Sequence, residues 1–233
     1  DAHTGEDLLP KVREMVKEKG FLPQDAEQRD QSWLDTYGMV QTIMADFPEF
    51  LPNTYDQYYL YPDYKVSHLD PNFTRADEVM AGREKRVFTE CAEVIKEGKL
   101  GDKFHAISDA HAEMMIKVAE AIAYNKNDRH ILIVENNGAI ANMQDDAMVE
   151  VVCELGINGP RPMRVGNIPQ FNLGLLVNQV SCEKLIVDAY FENSYQKALE
   201  AFTLNRLIND AKKARKVLDA LIEANKGMWP ELR

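Results

Sequence analysis

The sequence predicts an α+β chain: a helix-rich domain carrying a small mixed or antiparallel sheet. Three observations predict it. Apolar residues recur at three- and four-residue steps through most of the first 125 positions and again beyond about 170, the mark of amphipathic helices. Between Arg129 and Ile168 the texture changes to short β-branched runs split by Asn, Gly and Pro. The order helices, strands, helices, rather than alternation of the two, is the α+β pattern.

Leu8 to Lys19 and Asp25 to Ala45 read as helices, and Trp33, Tyr37, Val40 and Met44 form one apolar stripe on the second. Pro48 ends that pattern, so the tyrosine-rich segment behind it is expected to be extended or irregular. Thr74-Arg75-Ala76-Asp77 resembles a capping box opening a helix to about Glu97, with Met80, Val87, Cys91 and Val94 on its core face and Gly98 as its stop. Ser108 or Asp109 caps a further helix to about Asn125, with Met115, Val118 and Ile122 inward. His130 to Val134 is expected to be a buried strand, Asn136-Asn137-Gly138 a tight turn, and Met148 to Cys153 a second strand. Asn158-Gly159-Pro160 reads as another turn, and Val165 to Ile168 as a third short strand. From about Gln170 one long helical stretch runs past Tyr195 to near Asn209, and a last helix, Asp210 to Asn225, turns Val217, Leu221 and Ile222 inward.

A chain of 233 residues, 45% hydrophobic and 28% charged, is long enough to bury a core without disulfide or metal staples. Its formal charge of -11 argues against a nucleic-acid partner and against an anionic membrane surface. No apolar run is long enough to span a bilayer, and no signal-peptide pattern opens the chain. Cys91, Cys153 and Cys182 form no Cys-x-x-Cys motif and are expected to be buried free thiols of a reducing compartment. The histidines are dispersed, and no complete metal site is expected. No glycine-rich loop follows a strand, so neither a dinucleotide fingerprint nor a P-loop is present. The start Asp1-Ala2-His3-Thr4-Gly5, without methionine, is expected to mark a cut from something longer or a processed piece.

Two stretches carry candidate chemistry. Five tyrosines fall between Tyr55 and Tyr64, framed by Pro52 and Pro62. Aromatics of this kind commonly pack a loop; a phenol, with an ordinary pKa near 10, becomes a base at neutral pH only beside a cation or metal. Arg75 and Arg83 follow closely. Arg75 at a helix start suits a phosphate or carboxylate, although spacing alone favours an ordinary surface ion pair. The strand-end loop Glu135 to Asn142 offers amides for sugar hydroxyls or, more simply, turn formers.

Ordered blocks resolve part of this choice. Leu51-Pro52-Asn53-Thr54-Tyr55 with Gln57-Tyr58-Tyr59-Leu60, Thr74 to Met80 with Gly82-Arg83-Glu84, and Leu132 to Asn142 resemble the C-terminal half of the NAD- and metal-dependent glycoside hydrolases of family 4, nearest its 6-phospho-α-glucosidase (maltose-6'-phosphate glucosidase) branch. Ala147 to Val151, Asn158-Gly159-Pro160, Ile168 to Phe171, Glu223 to Lys226 and Trp229 to Leu232 extend the resemblance over nearly the whole chain. Family 4 is an exception to the two-carboxylate mechanism. The resemblance implies a redox elimination in which NAD takes hydride from C3 of a 6-phosphorylated glucose and a divalent metal, typically manganese, polarises the ketone. A tyrosine removes the C2 proton, the C1 substituent leaves, water adds and hydride returns.

By motif the base falls on Tyr55 and a substrate-binding arginine, plausibly for the phosphate, on Arg75; Tyr58, Tyr59, Tyr61 and Tyr64 keep the packing role. The same resemblance implies that residues 1–233 are one C-terminal, substrate-side domain, resembling the C-terminal domains of lactate and malate dehydrogenases. The N-terminal NAD-binding Rossmann domain, with the cofactor loop, the metal ligands and the acid, is absent from this chain. NAD and manganese are therefore expected to bind the full-length enzyme but not this chain tightly, and the chain alone is expected to be inactive. A phosphorylated disaccharide substrate, a cytoplasmic location and a homo-dimer or tetramer complete the implied picture. His111 matches a family histidine, but Ala112-Glu113-Met114-Met115 after it departs from the aromatic-containing pattern, and Val152 stands where relatives often have proline. Two alternatives stand beside this reading: another family 4 specificity, 6-phospho-β-glucosidase or α-galactosidase, and a free-standing, non-catalytic sugar-binding or assembly module.

Overall fold

The computed structural model describes residues 4–20, 31–99, 110–208 and 210–233. They divide into two compact units, 1–74 and 75–233. In the first unit, α1 (Leu9–Lys19) begins with Pro10 in its first turn, where a missing N–H costs nothing, and stops at Gly20, whose φ of 73° closes the helix end. It packs on α2 (Gln31–Asp46) through Val16, Val40 and Met44, with Val12 half-buried beside them. Tyr37 is buried on the expected stripe, while Trp33 is exposed. The start of the expected helix, 25–30, lies outside the described residues.

The tyrosine segment departs from expectation. Instead of an irregular connection it forms two short helices, α3 (Asp56–Leu60) and α4 (Pro62–Ser67). Proline explains both the interruption and the restart: Pro62 cannot continue α3 but is preorganised as the first residue of α4.

The second unit opens with α5 (Arg75–Glu97), ended by Gly98 at φ 66° as the sequence predicts. Its expected core face is a correction: Met80 is 75% exposed, Val87 and Cys91 are exposed, and only Val94 is half-buried. α6 (Ala110–Ala123) follows, its expected cap lying outside the described residues. There too Met115 and Ile122 stand exposed, Val118 is half-buried, and the small Ala121 takes the buried position. Periodicity marks an apolar stripe, whereas burial requires a facing surface.

The sheet has the order β1-β2-β3 and is antiparallel throughout. β1 (Asp128–Glu135) pairs along its length with β2 (Met148–Gly156), setting Leu132 opposite Val151 and Val134 opposite Val149. These residues join Cys153, Ala139, Ile140, Met143, Ala147 and Val180 in the core. β1 is not buried on both sides: Ile131 and Ile133 project from its other face and are exposed. The predicted turn at Asn158-Gly159-Pro160 is present, with Asn158 in the two-residue connection and Gly159 at φ 85° completing the reversal, but Gly159 and Pro160 already belong to a strand that was not expected, β3 (Gly159–Pro162). Val165 to Ile168 does not join this sheet. It lies against the strand-end loop, where Ile140 bridges Gly166 in parallel, and Gly166 at φ 83° bends it away from β3.

The long C-terminal helical stretch is two helices, α7 (Gln170–Glu192) and α8 (Tyr195–Leu204). Asn193 in the left-handed region, φ 56°, ends the first, and the Ser194 hydroxyl accepts from the Lys197 N–H to start the second. Asp210 caps α9 (Ala211–Ala224) in the same way. Leu218, with Ala198 and Ala189, holds the core between these helices; Ile222 and Val217 are half-buried and Leu221 is exposed. Among the described residues no helix is long and apolar enough to cross a membrane.

Candidate active-site residues

Tyr55 stands at the N-terminal boundary of α3 with its side chain 68% exposed. The turn beneath it is fixed by its own polar groups. The Asn53 N–H donates to Asp56 Oδ2 (2.8 Å), and the Tyr55 N–H donates to Asn53 Oδ1 (2.9 Å). Burial pushes the Asp56 carboxyl up from its ordinary value, partly offset by the Asn53 N–H. Gln57, only 2% exposed, donates from Nε2 to the Thr54 carbonyl (2.7 Å) and approaches Thr36 Oγ1 on α2 (3.4 Å). Sequence reading gave Gln57 no role, and its only sequence signal is a polar residue set among aromatics.

The remaining tyrosines are engaged as packing predicts. Tyr58 stacks on Tyr55 at 6.3 Å and carries Lys65 Nζ over its ring at 5.3 Å. Tyr64 stacks on His68 at 4.1 Å. Tyr61 donates to Asp46 Oδ2 at 2.5 Å; burial, then that carboxylate, pushes its phenol up to about 12. Among the described residues no group bonds the Tyr55 hydroxyl, which sets it apart from Tyr61.

Arg75 belongs to the second unit as the first residue of α5, and its guanidinium pairs with Glu78 at 2.5 Å, both side chains being largely exposed. The structure thus shows the surface ion pair that spacing favours. Such a pair is worth about 0–1 kcal/mol. The side chains of Arg83 and His111 lie outside the described residues.

The strand-end loop is spent on itself. Asn136 is fully buried; its Nδ2 approaches the carbonyls of Ile140 (3.0 Å), Met143 (3.2 Å) and Gln144 (3.0 Å), and its Oδ1 accepts from the Ile140 N–H (2.7 Å). Asn142 exchanges two bonds with the Ile168 backbone. Asn137 and Gly138, at φ 43° and 78°, make the tight turn. These amides are architecture, and the sugar-binding alternative finds no support in Asn136 or Asn142.

Cys153 and Cys182 are buried thiols, each pushed up from its ordinary value chiefly by burial, whereas Cys91 is exposed, against expectation. Among the described residues no group of three or more His, Cys, Asp or Glu side chains is placed to hold a metal ion. β1 is followed by a turn and leads to β2, with no helix N-terminus to receive a pyrophosphate. Among the described residues, therefore, no side chains assemble a metal or dinucleotide site by themselves.

Residues 1–208 match the model of the family 4 glycosyl hydrolase C-terminal domain. The maltose-6'-phosphate glucosidase of Clostridium acetobutylicum is 48% identical over 98% of this chain and 52% of its own length, and that of Fusobacterium mortiferum is 48% identical with the same coverage. A crystal structure of a 6-phospho-α-glucosidase from gut microorganisms, in complex with NAD and Mn2+, is 80% identical and superposes with a TM-score of 0.92, covering all of this chain and 53% of that one. The chain spans about half the length of the curated relatives it matches.

Proposed function

The chain belongs to glycosyl hydrolase family 4 through that family's C-terminal domain, and from this membership we propose that it is the substrate-side part of a 6-phospho-α-glucosidase. The whole protein hydrolyses phosphorylated α-glucosides such as maltose 6'-phosphate. Its N-terminal Rossmann half, outside this chain, holds NAD and manganese, as two observations support: relatives are about twice as long, and a close structural relative is a complex with NAD and Mn2+. The exposed apolar faces of α5, α6 and the sheet support the view that residues 1–233 act as one domain against another half. A cytoplasmic location and a homo-oligomer belong to the same proposal.

In this reading Tyr55 accepts the C2 proton of the bound sugar, and Arg75 binds the 6-phosphate from the first turn of α5. The observation that carries the role of Tyr55 is its phenol, exposed and unbonded among the described residues, on a turn whose backbone the side chains of Asn53 and Gln57 hold. Exchanging the Glu78 carboxylate for a dianionic phosphate costs Arg75 little, because the pair is solvated.

The test belongs on the full-length enzyme. Tyr55→Phe should retain NAD and metal binding while losing most turnover and C2 proton exchange; exchange at the wild-type rate refutes the assignment. Arg75→Ala should raise KM for phosphorylated substrates, and an equal loss on unphosphorylated analogues would mean a folding defect. The isolated chain should show no NAD-dependent hydrolysis of a chromogenic 6-phospho-α-glucoside.

A further inference from the structure

We infer that Gln57 is a positioning residue for Tyr55, a role that rests on the reading of Tyr55 as the C2 base. The peptide joining Thr54 to Tyr55 is gripped at both ends. Its carbonyl accepts from Gln57 Nε2 at 2.7 Å, and its N–H donates to Asn53 Oδ1 at 2.9 Å. A peptide plane held on both edges fixes the backbone on the N-terminal side of Tyr55, and hence the direction in which its Cα–Cβ bond launches the phenol. The ring itself stacks on Tyr58.

Gln57 does this from a buried position, 2% exposed, beside Thr36 of α2. The amide can face Thr54 only nitrogen-first, because its oxygen would meet a carbonyl oxygen. That orientation leaves Gln57 Oε1 buried with no partner among the described residues. A buried acceptor without a donor is a penalty that an apolar side chain of the same length would avoid. A glutamine kept in that position spends stability on orientation.

The contrast yields a test that separates structure from function, made on the full-length enzyme with maltose 6'-phosphate. Gln57→Met keeps the volume and removes both amide ends; Gln57→Glu keeps the shape but turns the donor into an acceptor against Thr54. Both should lower kcat by about tenfold to a hundredfold, as a displaced base does, with KM within about twofold. The kinetic isotope effect from deuterium at C2 should rise above the wild-type value as proton transfer becomes more limiting. Gln57→Met relieves the orphaned Oε1 but releases the half-buried Thr54 carbonyl, so its melting temperature should stay close to the wild-type value. An unchanged kcat, or a loss that tracks a lower melting temperature with an unaltered isotope effect, overturns the role. If Tyr55→Phe abolishes C2 exchange while the Gln57 variants behave as wild type, the positioning role alone fails; if Tyr55→Phe retains exchange, both assignments fail.

Discussion

Replacing Asn136 by alanine should open the loop between β1 and β2 far more than removal of one amide suggests. Its Nδ2 has two hydrogens serving three carbonyls at 3.0–3.2 Å, and its Oδ1 holds the Ile140 N–H at 2.7 Å, all at a fully buried side chain. Truncation strands the Ile140 donor and the Met143 carbonyl, because the Ile140 and Gln144 carbonyls keep the N–H groups of Met143 and Ala147. At the middle of roughly 1–3 kcal/mol per buried orphan, the two together cost about 4 kcal/mol. Native-state hydrogen exchange on the full-length enzyme is the suitable assay, since it reads local opening without assuming that a long chain unfolds in one step. Amides within 136–147 should exchange about 10²–10³ times faster, at about 1.4 kcal/mol per decade. Asn136→Asp supplies a second handle. Its carboxylate faces three carbonyls, so its folded pKa is raised; the loop should be better protected near pH 4, with the acid protonated, and lose protection as pH rises through that pKa. Protection within about threefold of wild type in Asn136→Ala would refute the reasoning.

Two further outcomes follow from the ionisable groups. Because the Tyr61 phenol is pushed up to about 12 by burial and Asp46, its contribution to stability is complete below the ordinary pH 10 and is lost between 10 and 12. Tyr61→Phe should remove ultraviolet titration amplitude near pH 12. With Cys91 exposed and the Cys153 and Cys182 thiols buried and raised, native chain 1–233 treated with iodoacetamide at pH 7.5 should carry its label on Cys91, read by peptide mass spectrometry.

The helix boundaries were legible because their punctuation is local chemistry: Gly98 stops α5, and Asp210 starts α9. Where punctuation was overlooked, at Asn193-Ser194, two helices read as one. Gly159 and Gly166 misled in a related way, since a positive φ reverses or bends the chain without saying which neighbour the next segment meets. The inward faces assigned to α5 and α6 failed for another reason. An apolar stripe is encoded in the helix, but its cover is encoded elsewhere. At the site, nothing in residue chemistry distinguished Tyr55 from the four tyrosines that follow it; the family motif did. Gln57 was illegible altogether, because its importance depends on a carbonyl three residues back and a burial that only folding creates.

The two prolines of β3 bear on how this protein avoids sticking to itself. Met163 donates to Val152 across the strand pair, so the amides directed at β2 alternate through Arg161, and the positions of Pro160 and Pro162 face the other way. Those two positions have no hydrogen to offer an incoming strand. That edge is therefore closed to sheet extension by its chemistry rather than by a cover. β1, at the opposite end of the sheet, contains no proline and sets Ile131 and Ile133 on an exposed face. Unwanted strand-to-strand growth of this sheet accordingly has a direction, and a lysine or proline introduced into β1, not β3, is where resistance to aggregation is to be gained.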